Sequence, residues 1–139
     1  MSGKLAGLAM IVAWTALSPA PPAGAQPKRD CGSENNQGAM NACSLEQWKS
    51  ADIALNQDYR ALLQRMNPKS QKLLRSAQRA WLAYRDAECG FIASATEGGS
   101  AQPMVRYGCL LDATEKREEA LKFQLSCDEG DLWCIAPRH

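Results

Sequence analysis

Six cysteines constrain this chain more than any other feature of its sequence. All of them follow residue 30, and an even number of cysteines in a small exported domain indicates disulfide bonding throughout. Local geometry favours pairing each cysteine with the next one along the chain. The predicted disulfides are therefore Cys31–Cys43, Cys89–Cys109 and Cys127–Cys134.

The N-terminus has the features of a secretory signal peptide. One positive charge, Lys4, precedes an uncharged apolar run over residues 5–17, which is too short to cross a membrane as a helix. The sequence Ala23-Gly24-Ala25 then forms an A-x-A cleavage site. We expect residues 1–25 to be cleaved, which leaves residues 26–139 as a single domain in the periplasm or secreted from the cell.

Charge and composition exclude several classes of partner. Of the 16 Lys and Arg residues only Lys4 precedes the cleavage site, so the mature chain carries 15 basic and 15 acidic residues. It contains no basic block, and no nucleic-acid partner is expected. The three charged residues before Cys31 do not fit a lipid-attachment motif, so no membrane anchor is expected after cleavage. The single histidine is the last residue, His139, and no C-x-x-C occurs, so neither a metal nor another cofactor is expected.

The sequence does not predict an enzyme. Triad and Cys-His chemistry require a histidine that a helical core could position, and His139 is terminal. Glycoside hydrolysis requires two carboxylates that flank the scissile bond. Asp86 and Glu88 are available, but two residues apart on a helix they point in different directions, which is typical of a solvated face.

Three long amphipathic segments predict an all-α fold. The first covers about residues 38–66. Asn67 as N-cap and Pro68 at the first helical position begin the second, which continues to about residue 94. The third covers about residues 103–125. We expect a small disulfide-bridged bundle of three main helices, an antiparallel helical hairpin plus a third helix, with residues 126–139 as a disulfide-looped tail.

Polar side chains interrupt the apolar stripes of these helices. In the second helix an amide and a guanidinium share one face with Trp81 and Cys89. Because buried charges must be paired, we predict an internal network in which Arg85 and Arg117 meet Asp52. Amide and hydroxyl groups complete the hydrogen bonds, and the simplest role of the network is to fix helix register. The predicted members are Asp52, Asn56, Gln78, Arg85, Thr114 and Arg117.

Five phrases occur in a characteristic order: Ala51-Asp52-x-x-Leu55-Asn56-x-x-Tyr59, Ala77-Gln78-x-x-Trp81-x-x-x-Arg85-Asp86-x-x-Cys89, Gly98-Gly99-Ser100, Cys109, and Thr114-x-x-Arg117-x-x-x-Leu121. Together they resemble the LprI-like lysozyme inhibitor family, N-terminal domain, over roughly residues 31–125. The resemblance implies an exported, mostly helical, cysteine-bridged bacterial domain whose named member inhibits lysozyme. That member is a lipoprotein, which this chain does not match, and the pair Cys127 and Cys134 lies beyond the shared region.

An inhibitor needs only a rigid exposed surface that fills a cleft. The segment between Cys127 and Cys134 carries the acids Asp128, Glu129 and Asp131 together with Trp133, so it offers charge for a basic lysozyme and an aromatic anchor. The alternative is that Trp133 packs on the bundle and the acids keep the tail soluble. A second candidate surface is the turn that contains Gly98 and Gly99, which would otherwise serve only to connect two helices.

Two functions follow from these observations. The first is an exported protein that binds lysozyme, or another peptidoglycan hydrolase, and inhibits peptidoglycan hydrolysis by c-type lysozyme. The alternative is a non-enzymatic periplasmic structural or interaction module with a different partner. Only the first requires a complex with lysozyme, so a binding measurement separates them.

Overall fold

The computed structural model describes residues 29–136 and confirms the all-α prediction. A short 3-10 helix, Cys31–Ser33, precedes the three long helices α1 (Gln37–Arg65), α2 (Pro68–Ser94) and α3 (Gln102–Ser126). Within residues 29–136 no strand is present. The predicted signal peptide and the last three residues lie outside the described range.

Polar caps determine where the first two helices begin. The Asn36 side chain accepts a hydrogen bond from the Ala39 backbone N–H at 3.0 Å. The Asn67 side chain does the same for the N–H of Ser70 at 2.9 Å, and Pro68 occupies the first turn of α2. These contacts satisfy backbone donors that have no partner inside the helix, and each cap stabilises its helix by about 1 kcal/mol. The predicted boundary at Asn67-Pro68 is therefore correct.

The three helices form an up-down-up arrangement. At the start of α1, Asn41 donates to the carbonyl oxygen of Ser100, just before α3, at 3.0 Å. At the end of α1, Arg65 donates to the carbonyl oxygen of Leu125, near the end of α3, at 2.6 Å. Because α1 and α3 meet at corresponding ends, these two helices run parallel, and α2 runs antiparallel to both. The parallel helices α1 and α3 pack most closely, whereas the hairpin partners α1 and α2 diverge.

The main core lies towards the C-terminal ends of α1 and α3. Leu55 and Leu62 from α1 are fully buried there and form one core cluster with Met66, Leu121 and Ala136. Burying a large aliphatic side chain contributes about 1.5–3 kcal/mol. Ala136 belongs to the tail, so its burial fixes the end of the described chain against the bundle.

All three predicted disulfides are present. The S–S distances are 1.96 Å for Cys31–Cys43, 1.97 Å for Cys89–Cys109 and 2.00 Å for Cys127–Cys134, and no cysteine among residues 29–136 is free. The first attaches the N-terminal segment to α1, the second joins α2 to α3, and the third closes the tail into a loop. The sequential pairing is confirmed.

Candidate functional site

Arg85 lies at the centre of a cluster of charged and aromatic side chains contributed by all three helices. Its guanidinium carbon lies 5.0 Å from the ring centroid of Trp81 and 5.8 Å from that of Trp48. Trp48 stacks on Tyr107, with 5.7 Å between ring centroids and 15° between ring planes. The guanidinium carbon of Arg117 lies 5.9 Å from the Trp81 centroid. We call these five residues the arginine cluster; each cation–π contact is worth about 0.5–2 kcal/mol, more when it is desolvated.

Two carboxylates neutralise Arg85. Its side chain is only 7% exposed, and its Nη1 lies 3.3 Å from Asp52 Oδ1. Its Nε and Nη2 both lie 2.9 Å from Oδ1 of Asp86, the next residue in the chain. The other oxygen of Asp52 accepts a hydrogen bond from Asn56 at 3.0 Å. The buried cation is thus paired on two sides, by one carboxylate from α1 and one from α2.

The predicted network is corrected in two respects, the partner of Arg117 and the role of Thr114. Arg117 does not meet Asp52; its Nε donates instead to Gln78 Oε1 at 3.1 Å. Both guanidinium groups approach the ring of Trp81, so the network consists of two hydrogen-bonded parts joined through this indole. Burial lowers the pKa of Arg117 from its ordinary value. Thr114 is fully buried, but its hydroxyl oxygen has no hydrogen-bond partner within the described residues.

Three members of this site were not identified from the sequence. The sequence places Asp86 on a solvated face, because Asp86 and Glu88 are two residues apart on a helix and point in different directions. It remains 55% exposed, yet the long side chain of Arg85 reaches its carboxylate. Trp48 and Tyr107 fall within the predicted helices but are not among the predicted members of the network. For Asp86, the only signal in the sequence is its position next to Arg85.

A second charged group lies between α1 and α3. Lys122 pairs with Glu118 at 2.6 Å, and this hydrogen bond raises the pKa of Lys122. Burial raises the pKa of Asp58; the nearby Lys122 lowers it to a smaller extent, and Glu118 raises it further. The Oδ2 atom of Asp58 is buried and has no hydrogen-bond partner in the described part of the chain. The ionised form of Asp58 is therefore disfavoured in the fold, so this group stabilises the protein less as the pH rises through its raised pKa.

The disulfide loop of residues 127–134, which we call the acidic loop, exposes apolar side chains. Leu132 is 99% exposed and Trp133 is 80% exposed, and Ile135 directly after the loop is 62% exposed. The alternative in which Trp133 packs on the bundle is therefore wrong. The acids Asp128, Glu129 and Asp131 belong to the same loop, and all three are exposed.

The acidic loop is held to α3 by more than its disulfide. The side-chain amide of Gln124 donates to the carbonyl oxygen of Trp133 at 2.7 Å and accepts from the N–H of Ile135 at 2.8 Å. Within the loop, Asp131 accepts from the N–H of Trp133 at 2.9 Å. Burial of Ala136 fixes the chain just beyond it. Because its conformation is set by these contacts, little ordering cost remains for binding.

The turn with Gly98 and Gly99 lies at the opposite end of the bundle. Gly98 has φ 72°, a left-handed conformation that favours glycine, and the N–H of Gly99 donates to the carbonyl oxygen of Thr96 at 3.0 Å. The 25 residues of α3 separate this turn from the acidic loop. At 1.5 Å per residue this distance is about 37 Å, so one compact contact would not include both candidate surfaces.

Over residues 29–136, none of the helices combines the length and apolarity needed to cross a membrane. The same range contains no group of three or more His, Cys, Asp or Glu residues arranged to hold a metal ion.

These features define a small disulfide-bridged helical domain organised around a buried, doubly paired arginine. Comparison with known proteins adds the family. The family described as "Lysozyme inhibitor LprI" matches residues 28–121, and this chain belongs to that family. An uncharacterized protein of Rhizobium meliloti (strain 1021) is 34% identical over 116 residues, which cover 74% of this chain and 84% of that protein. No solved structure gives a significant match.

Proposed function

We propose that this protein is exported and that it binds c-type lysozyme and inhibits hydrolysis of peptidoglycan. The family name supports a lysozyme-like partner. Three disulfides suit an oxidising compartment outside the cytosol, where such an enzyme would be met. The proposal does not involve catalysis by this chain.

The observation that carries the proposal is the exposure of Leu132 and Trp133 on a loop whose backbone is fixed. Apolar side chains of this size are costly to expose, and an exposed pair on a rigid projection is typical of a binding surface. A projection of this shape suits a concave partner, and the active site of a lysozyme is a cleft. In the proposed complex Trp133 is the anchor that enters the cleft.

The charge of the acidic loop also favours a complex in which this loop faces lysozyme. The acidic loop contains three carboxylates within eight residues, whereas animal lysozymes are strongly basic. Complementary charge mainly increases the rate of association and aligns the two surfaces before contact. We therefore assign Asp128, Glu129 and Asp131 to steering and Trp133 to affinity.

The family match ends at residue 121, before the acidic loop begins. An inhibitory surface common to the family would therefore lie elsewhere, and the Gly98–Gly99 turn is the alternative within the matched region. The two surfaces are far enough apart that substitutions in one leave the other intact. Loop variants consequently distinguish an inhibitory site of this chain from one that belongs to the family.

The direct test uses the mature protein with its disulfides intact. We expect it to form a complex with chicken-type lysozyme and to slow the clearing of a peptidoglycan suspension, while it clears none of the suspension alone. Cytochrome c, which is basic but has no saccharide cleft, controls for attraction by charge. No binding at tens of micromolar would contradict the proposal and favour an interaction module with another partner.

Export has its own prediction. Because Ala23-Gly24-Ala25 is an A-x-A site, the product recovered from the periplasm or medium is expected to begin at Gln26. N-terminal sequencing or intact mass measures this directly. A product that retains Met1, or one that carries the added mass of a lipid, would contradict the assigned compartment.

A further inference from the structure

The divergence of α1 from α2 leaves an open groove of about 590 Å³ between them. This volume lies within the range of about 300–1,000 Å³ that is usual for small-molecule sites. The groove adjoins the arginine cluster, since Trp48 and Arg85 form part of its wall. It is separate from both surfaces considered for lysozyme.

The groove is basic. Its positive charge comes from Arg75 and Arg79. The third arginine that lines it, Arg85, is neutralised by Asp86 and by the one carboxylate in the groove wall, Asp52. That carboxylate already contacts Arg85 and Asn56, so it offers little negative charge to a ligand. Arg75 and Arg79 are exposed on α2, and their guanidinium groups remain able to bind an anion. A basic protein such as lysozyme is not complementary to this surface.

The remaining wall combines aromatic rings with amides. Trp48 and Tyr59 line the groove on the α1 side, and the buried indole N–H of Trp48 has no hydrogen-bond partner among the described residues. Asn56 uses its amide nitrogen on Asp52, which leaves its oxygen as an acceptor. Gln78 uses its oxygen on Arg117, which leaves its amide nitrogen as a donor. Donors and acceptors in one groove match hydroxyl and acetamido groups, which need both.

We infer that this groove binds an anionic saccharide: sugar rings lie against the aromatic wall, and a carboxylate of the ligand pairs with Arg75 and Arg79. A simple anion would use only the arginines, and a neutral sugar would use only the aromatic and amide groups. A carboxylated sugar uses all three. This inference does not depend on lysozyme binding, which is assigned to the other surfaces.

The test titrates the mature protein with the disaccharide of N-acetylglucosamine and N-acetylmuramic acid, which carries a carboxylate. Neutral N,N′-diacetylchitobiose is the matched sugar without the charge, and triglutamate is an acidic probe without a sugar. We expect the carboxylated disaccharide to bind at least roughly fivefold more tightly than either, a difference of the size that one charged contact supplies. Equal binding of chitobiose would overturn the role of the arginines, and equal binding of triglutamate would overturn the saccharide assignment.

Two double variants locate the site. Arg75→Gln with Arg79→Gln removes two charges from the groove and should weaken binding of the carboxylated disaccharide at least roughly fivefold. Lys69→Gln with Lys72→Gln removes two exposed charges from the same helix outside the groove and should leave binding unchanged. All four residues are exposed, so thermal midpoints should stay close to that of the parent protein. Equal effects of the two double variants would show a general charge effect and overturn the inference.

Discussion

Replacing Asp52 and Asp86 together by alanine is expected to reduce the free energy of unfolding by about 3–5 kcal/mol. The two carboxylates are the anionic partners of Arg85, whose side chain is only 7% exposed. Removing both leaves the buried guanidinium of Arg85 without an anionic partner. Such an unpaired buried charge destabilises a fold more than replacing the whole ion pair by apolar groups does. Each single substitution should cost much less, because the other carboxylate remains in contact.

Arg85→Met is expected to be milder than the double substitution, at no more than about 1.5 kcal/mol. The methionine retains apolar contact with the indoles of Trp48 and Trp81. Asp52 keeps its hydrogen bond from Asn56, and Asp86 is already 55% exposed, so neither carboxylate is left buried and unpaired.

Urea unfolding of the single and double variants measures both effects, and a double-mutant cycle gives the coupling of the two carboxylates through Arg85. Asp112→Ala is the matched control, because Asp112 pairs with Lys116 on the exposed surface of α3. It should change the free energy of unfolding by less than about 0.5 kcal/mol. A double variant as stable as this control would show that Arg85 is solvated rather than buried.

Trp133→Ala is expected to raise the dissociation constant for lysozyme roughly 30-fold, since truncating an aromatic anchor costs about 2 kcal/mol or more. The side chain is 80% exposed in the free protein, so its loss should leave the thermal midpoint unchanged. The measurement is titration of lysozyme by calorimetry, together with inhibition of cell-wall hydrolysis. Phe91→Ala is the control, because Phe91 is a similarly exposed aromatic residue near the far end of α2.

Neutralising Asp128, Glu129 and Asp131 as amides should have a different signature from Trp133→Ala. Association should slow and lose its dependence on salt, while dissociation changes little, because these residues act before contact. Inhibition that survives both loop variants would exclude the acidic loop and assign the contact to the Gly98–Gly99 turn or to a helix face.

The helices and the disulfides were predictable because their causes are local. Asn67 and Pro68 mark a helix start by the geometry of two adjacent residues, and the structure begins α2 at Pro68. The disulfides join cysteines only 12, 20 and 7 residues apart, and such short separations favour neighbouring partners. Neither inference required knowledge of how the helices are arranged in space.

The partners inside the bundle could not be predicted because they depend on how the helices are rotated and separated. The stripes placed Arg85 and Arg117 at core positions, but only the packing of α3 on α2 directs Arg117 to Gln78. The α1–α2 groove arises because α1 packs more closely on α3 than on α2. The spacing of apolar residues along a helix does not show how far apart two helices lie. The exposure of Trp133 depends likewise on where Gln124 holds the acidic loop.

The connectivity of the cysteines determines the order in which the covalent structure can be completed. Each disulfide joins two consecutive cysteines, so the three closed segments follow one another without overlap or nesting. If the chain meets an oxidant from its N-terminus onwards, each free thiol therefore makes its native bond by joining the next cysteine to enter the oxidising compartment. Isomerisation of mispaired bonds, the slow step for interleaved cysteines, is not required on this route. Maturation of this domain should consequently need a thiol oxidant but no disulfide-shuffling enzyme.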